Sequence, residues 1–414
     1  TMSWISRRDL LKTTGVSSVA FTAAGCLGNG SGNGNGNGNG GETFTYGVLM
    51  PTSGPIASAG EEAVAAAEIA VDQIANDGGV GGQDVEMVLR DTEADPETAV
   101  SRARALVDTE DVDVLVGVIS SAVALAVSEY AGGADIPFLA TVAQTPSLNE
   151  EECRRQTFRT TTNIRQQQTV AAEYISREME DLETVASISP DYVYGRQSWD
   201  FFQEQLSQRM DFDVVYEGWP AFLSGEFQND IRAALDEEPD LVHSVLYSGD
   251  MIAFFQQANE FDFFDQVEFF AGDTPMHVSQ PLGDSFAEAY AVSYYYYDQP
   301  NNDPNQAFVE QYRQREGAVP TVFAGSTHVA VDAVRHAVDA SGGTDADSII
   351  DGLEGLTFES VMGETTRRPE DHQAIFEFYR GGRMAQLDDE EFYGLTGIET
   401  FSSDEIVVDP MCQV

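Results

Sequence analysis

Several residue types in this chain are capable of covalent chemistry, but their spacing does not assemble them. The five histidines, His243, His277, His328, His336 and His372, form no H-E-x-x-H or other closely spaced pair, so no metal-ligand set is read. They are expected as surface or capping residues. Gly117-Val118-Ile119-Ser120-Ser121 approaches a nucleophile elbow but lacks the second glycine. A phosphate-binding loop needs a lysine, and the sole lysine, Lys12, lies near the start of the sequence. The 70 acidic residues can supply a carboxylate pair anywhere, so no single pair stands out. No enzyme, cofactor or metal is expected.

The same carboxylates exclude other roles. With 21 basic residues against 70 acidic ones the formal charge is −49, which repels phosphate backbones and argues against nucleic-acid binding. Self-repulsion on this scale destabilises a compact state in dilute buffer. At molar salt the screening length falls to about 3 Å and the repulsion is damped. Acidic excess with one lysine therefore reads as adaptation to high salt. The 414 residues, 42% of them hydrophobic, are enough for two or three domains with real cores.

The first residues read as an address. Ser6-Arg7-Arg8-Asp9-Leu10-Leu11-Lys12 precedes a short apolar run and resembles a twin-arginine export signal. Ala23-Ala24-Gly25-Cys26 resembles a lipobox, which makes 1–25 a lipoprotein signal and Cys26 the lipidated residue. The run from Thr13 to Gly25 is too short to span a bilayer as a helix. Residues 26–41, rich in alternating glycine and asparagine, read as a flexible linker with a reach on the order of 20 Å. The expected location is the outer face of the cytoplasmic membrane, held by lipid. Cys153 and Cys412 then remain as an even pair in an oxidising compartment, and a disulfide between them is expected.

The body must position whatever binds, and it alternates strand with helix. Thr43 to Met50 reads as a buried strand, and Glu61 to Asn76 carries apolar residues at helical spacing. Asp95-Pro96 is a helix cap followed by proline at the first helical position. Val112 to Ile119 and Ile136 to Ala140 read as further strands, with Ser120-Ser121 capping the helix between them. The rhythm restarts near Gln166, with strands at Thr184 to Ser189, Leu241 to Leu246 and Val267 to Gly272. The tyrosine run 294–297 is expected to alternate between core and surface on a strand, and Ala374 to Arg383 to form a hairpin. The fold class is α/β: two Rossmann-like lobes with parallel-sheet cores and a cleft between them.

Six segments in order resemble the leucine/isoleucine/valine-binding family of solute receptors for ATP-driven (ABC) importers, with the type I periplasmic-binding fold. They are Gly47 to Pro55, Ile74 to Gly82, Val114 to Ser121, Ile136 to Pro146, Thr157 to Thr160 and Asp191 to Gly195. With the salt adaptation and the signal, a haloarchaeal lipoprotein is expected. The resemblance implies three hinge crossings, near Arg159–Arg165, Ser293–Tyr297 and Phe358–Gly363. Lobe 1 is then 42–160 plus 297–360, and lobe 2 is 161–296 plus 361–414. It implies capture of a small amino acid, branched-chain type first, by hinge closure and its delivery to a permease. Urea or a short amide is the alternative within the fold, because Gln144 replaces a usual threonine; a ligand sensor is a further one. The implied ligand contacts are Ser120 and Ser121 for a carboxylate, Val142, Ala143 and Gln144 from the next loop, and Tyr194 from the second lobe. Asp273 and Asp250 are the implied partners of an ammonium group, and a usual first-loop aromatic falls at Ala59.

Dependence on salt screening has a measurable consequence. Dialysis from molar salt into dilute buffer should abolish the helical circular dichroism of the protein, and an unchanged spectrum would refute the salt adaptation.

Overall fold

The computed structural model describes residues 43–414 except 274, 389 and 407. The chain divides into two units, residues 1–40 and 41–414, and the elements that follow all belong to the second. The expected export signal, Cys26 and the whole linker lie outside the described residues.

Sequence patterning accounts for the first sheet. β1 (Phe44–Met50) is mostly apolar and buried at every position, as the interior of a parallel sheet requires. α1 (Ala57–Asn76) leads to β2 (Val85–Asp91), and α2 (Pro96–Glu110) to β3 (Val114–Gly117). α2 starts as expected, with the Asp95 carboxylate accepting from the Thr98 N–H at 2.7 Å and proline at the first turn. α3 (Ser121–Ala134), β4 (Phe138–Ala140) and β5 (Thr157–Arg159) complete a parallel sheet ordered β2-β1-β3-β4-β5.

The second sheet repeats this plan. α4 (Ile164–Glu178) opens with a capping box, Asn163 and Gln166 each bonding the other's backbone N–H. Then come β6 (Thr184–Ile188), α5 (Val193–Ser207), β7 (Asp213–Gly218), α6 (Gln228–Asp236), β8 (Leu241–His243), α7 (Ser248–Asn259), β9 (Glu268–Phe270), α8 (Pro275–Leu282) and β10 (Ala289–Ser293). α9 (Asp303–Glu316), α10 (Val322–Ser341) and α11 (Ala346–Leu353) follow. The chain ends through β11 (Thr357–Ser360), β12 (Gly363–Arg367), β13 (Ala374–Phe376), β14 (Phe378–Gln386) and β15 (Tyr393–Ser402). The sheet order is β15-β14-β10-β9-β8-β6-β7, parallel from β7 to β10 with two antiparallel strands on the edge. Strand order reverses beside β1 in one sheet and beside β6 in the other. Open parallel sheets bind ligands at the carboxyl ends of strands at such reversals. No helix among the described residues is long and apolar enough to cross a membrane.

Four local expectations differ from the structure. Residues 374–383 are not a hairpin, because β13 pairs with β12 in a small sheet with β11 whereas β14 joins the seven-stranded sheet. The chain therefore passes to the second sheet at Glu377, beyond Phe358–Gly363, and residues 361–376 stay with the first lobe. The C-terminal end also returns to that side: the Val414 N–H donates to the Glu370 carbonyl at 3.0 Å. Tyr294, Tyr295 and Tyr296 lie after β10 and are all buried, since the irregular backbone of this crossing turns successive side chains inward. Four of the five histidines are buried rather than on the surface, each with a polar partner for its ring that replaces water. His243 meets Gln168 at 3.1 Å and His328 meets Gln73 at 2.8 Å.

Cys153 and Cys412 are paired, with Cα atoms 6.6 Å apart and a sequence separation of 259. Closing so long a loop restricts the unfolded state, and its loss costs roughly 2–5 kcal/mol. Thiol titration of the unfolded, unreduced protein should find neither cysteine free, and reduction should lower the unfolding temperature.

Candidate functional site

The site is assembled from loops at the carboxyl edges of both parallel sheets. On the first lobe β3 ends at Gly117 with φ of +145°, and a Cβ there would overlap the Leu49 carbonyl oxygen. Only glycine lets the end of β3 press so closely on β1. The chain then enters α3. Ser120 is its N-cap residue, buried, with no side-chain cap bond. Ser121 is the first helical residue, 2% exposed, and faces a cavity between the lobes. The free N–H groups of the first turn carry the positive end of the helix dipole to this wall.

The loop after β4 is shaped by a cation. Arg159, fully buried, donates from Nε to the Asn149 Oδ1 at 2.7 Å, to the Ala143 carbonyl at 2.5 Å and to the Thr145 carbonyl. Backbone carbonyls thus take up the guanidinium, and the loop is held in one form. Val142 and Gln144 line the cavity; Ala143 does not, its carbonyl being turned to Arg159 and its methyl packed in the core beneath. Gln144 reaches across the cleft, and its Nε2 donates to Asp273 Oδ2 at 2.5 Å. Its Oε1 is buried with no hydrogen-bond partner.

Asp273 follows β9 and is 3% exposed. Burial pushes its carboxyl up to about 6, against the opposing pull of the Gln144 donor and its own backbone N–H. Around it stand Tyr192 and Tyr194 after β6, Tyr247 after β8, Tyr294 after β10, and Ile119 and Phe323 from the first lobe. These side chains nearly fill the cavity, leaving about 20 Å³ open to the centre of a water-sized sphere, room for about one water molecule. The Tyr192 and Tyr247 hydroxyls lie 3.2 Å apart, and the Tyr194 and Tyr247 rings meet edge to face at 6.0 Å. Among the lining residues none is basic.

Asp250 and Ala59 stand elsewhere. Asp250 accepts from the Leu223 N–H at 2.8 Å and the Gly225 N–H at 3.1 Å, which holds the loop that lays Phe222 on Tyr192 at a 4.3 Å ring separation. It does not reach the cavity, because both carboxylate oxygens are engaged by backbone. Ala59 lies inside α1 with its methyl in the core, not in the first loop. Sequence reasoning misses Tyr192, Tyr247, Tyr294, Ile119 and Phe323. Tyr192 sits in the Asp191–Gly195 segment and Tyr294 in the tyrosine run, so both carry a signal. Tyr247, three residues before Asp250, is the residue after β8 that lines the cavity. Ile119 and Phe323 carry none beyond being apolar.

The raised carboxyl of Asp273 has a stability consequence. Its folded-state value, about 6, lies above the 3.8 of an exposed carboxyl, so folding takes up a proton between these limits. The stabilising contribution is present below the unfolded value and is lost as pH rises through about 6. Asp273→Asn should therefore raise stability at pH 7.5, by roughly 1–3 kcal/mol, with no comparable gain at pH 4. Thermal unfolding at both pH values checks this, and equal gains at the two would refute it.

A model of the periplasmic binding protein family matches residues 43–390. The Leu/Ile/Val-binding protein homolog 7 of Brucella abortus is 26% identical over 333 residues, 76% of this chain and 81% of that protein. Homolog 3 of Brucella melitensis is 30% identical over 173 residues, and that alignment spans 42% of this chain and 46% of the relative's length. Among solved structures, a solute-binding protein of an ABC transporter from Rhodopseudomonas palustris in complex with 3,4-dihydroxybenzoic acid superposes with a TM-score of 0.79 at 22% identity, covering 87% of this chain and 98% of that one. An amino acid ABC transporter substrate-binding protein from Pseudomonas fluorescens gives 0.79 at 19% identity, covering 90% and 100%. With paired parallel sheets, a cleft at both strand-order reversals and a family match over most of its length, the chain belongs to the periplasmic binding protein family.

Proposed function

We propose that this chain is the extracytoplasmic receptor of an ABC importer, capturing a small zwitterionic amino acid between its lobes and handing it to a membrane permease. One observation carries the reading: a single cavity has the N-terminus of α3 with Ser121 on one wall and the buried carboxylate of Asp273 on another. The first suits a ligand carboxylate and the second an ammonium. The tyrosines, Val142 and Phe323 offer apolar faces to a hydrocarbon side chain. The names of the Brucella relatives support a branched-chain ligand. The export signal and Cys26 belong to the same reading, as a lipid anchor that keeps the receptor beside its permease. Catalysis forms no part of it.

A second reading is favoured by the tyrosine wall and by the aromatic acids named with similar structures: a small aromatic acid. Against it, Asp273 would repel a carboxylate and no basic lining residue would offset that. A urea or amide ligand would use Gln144 and Asp273 as a donor–acceptor pair.

Thermal unfolding in molar salt separates these. At 100 times its dissociation constant a ligand stabilises by about 2.7 kcal/mol, a shift of several degrees. Leucine, isoleucine or valine should give that shift, and Asp273→Asn should remove it. A shift with benzoate alone would transfer the assignment to aromatic acids, and one with urea or acetamide alone would discard the ammonium site. No shift across the panel would retire the reading.

A further inference from the structure

A second polar network crosses between the lobes at the rim of the cleft, outside the cavity. His277 on α8 is 4% exposed. Its Nδ1 lies 2.8 Å from Glu62 Oε1 on α1, and its Nε2 lies 3.2 Å from Ser58 Oγ and 3.3 Å from Ser248 Oγ. The two serine oxygens are 3.2 Å apart. The other oxygen of Glu62 accepts from Thr321 Oγ1 at 2.5 Å, just before α10. Ser58, Glu62 and Thr321 belong to the first lobe, and Ser248 and His277 to the second.

The donors and acceptors close on themselves. An ionised carboxylate only accepts, so His277 Nδ1 donates to Glu62, and Nε2 is shared by the two serine hydroxyls, which also bond each other. Every member is then satisfied, but only with the lobes together. Separation breaks the His277–Glu62, His277–Ser58 and Ser58–Ser248 bonds and leaves within-lobe contacts alone. The surrounding geometry is built for contact. Ser248 is held at φ of +51°, a strained value for a side-chain-bearing residue, which sets its Oγ at the start of α7. A Cβ on the adjacent Gly249 would stand 2.5 Å from the Pro55 carbonyl oxygen of the first lobe, so the backbones nearly touch there. One turn along α8, the Gln280 side chain pairs with both the N–H and the carbonyl of Val319, at 3.2 and 3.4 Å. The order serine–histidine–carboxylate is that of a hydrolytic triad, but Ser248, fully buried, shares the same imidazole nitrogen, which is the arrangement of a tie rather than of a base serving one nucleophile.

We propose that Glu62 and Ser58 on one lobe and His277 and Ser248 on the other form a latch that holds the cleft closed and sets how long a captured ligand stays. These are positioning residues: none of the four lines the cavity. The proposal rests on the reading of the chain as a ligand-trapping receptor. With a ligand inside, the latch opposes reopening of the cleft, so its loss shows chiefly as faster dissociation.

The test uses the full chain in molar salt, as wild type, His277→Gln, Glu62→Gln and Ser58→Ala. Small-angle X-ray scattering without ligand should show a larger radius of gyration for each variant, as the population shifts to open forms. Stopped-flow measurement with leucine should show dissociation about tenfold faster in His277→Gln and association within about twofold of wild type. Folded variants with wild-type radius and wild-type dissociation would overturn the latch. If His277→Gln fails to fold, the exposed Ser58→Ala carries both measurements. If leucine binds neither wild type nor variants, the ligand assignment fails, while the scattering comparison still decides the latch.

Discussion

A carboxylate almost without water, Asp273, is the constraint on which the rest of the site turns. An ionised group removed from solvent costs several kcal/mol unless its neighbours replace the lost hydration. Here the replacement comes from the opposite lobe, through Gln144, and is partial, so the carboxyl is left with a raised affinity for protons. A site poised in this way gains from any ligand that brings a positive charge with hydrogen-bond donors.

Two further devices make that geometry reproducible. Arg159 turns three acceptors of the loop after β4 toward itself, so Gln144 leaves the loop at a set place and angle. Asp250 does the equivalent on the second lobe by gathering two backbone N–H groups of the loop carrying Phe222. Each buried charge is satisfied largely by backbone, which stiffens a loop without adding a competing charge to the cavity. The rim network of Glu62, Ser58, His277 and Ser248 then works at a different level, on the relation between lobes rather than on the shape of either.

The exterior obeys another rule. Arginines supply nearly all the positive charge, and many meet two carboxylates, as Arg155 does with Asp347 and Asp351 at 2.7 and 2.8 Å. The planar fork of arginine suits such double contacts better than a lysine point charge. Exposed pairs of this kind contribute about 0–1 kcal/mol each, and the remaining excess of carboxylates still has to be screened.

The amino-acid sequence by itself determined the elements whose causes are local. The largely apolar run of β1, the Asp95-Pro96 start of α2 and the serines opening α3 are each dictated by neighbours within a few residues, and so is the alternation that makes the cores of both sheets parallel. Ser121, Val142, Gln144, Tyr194 and Asp273 are legible because they follow strand ends, and strand ends at order reversals face the cleft. Tertiary structure alone decided what depends on distant partners. Asp250 reads as a ligand contact in the sequence, but its partners, Leu223 and Gly225, can be seen only once α7 has packed. Tyr294 to Tyr296 read as an alternating strand, but the crossing between lobes takes them out of any sheet and buries all three. The histidines read as surface residues, and long-range partners such as Gln73, Gln168 and Glu62 make their burial possible. Periodicity records which face of an element meets a core; it carries no record of which distant side chain completes a hydrogen bond there.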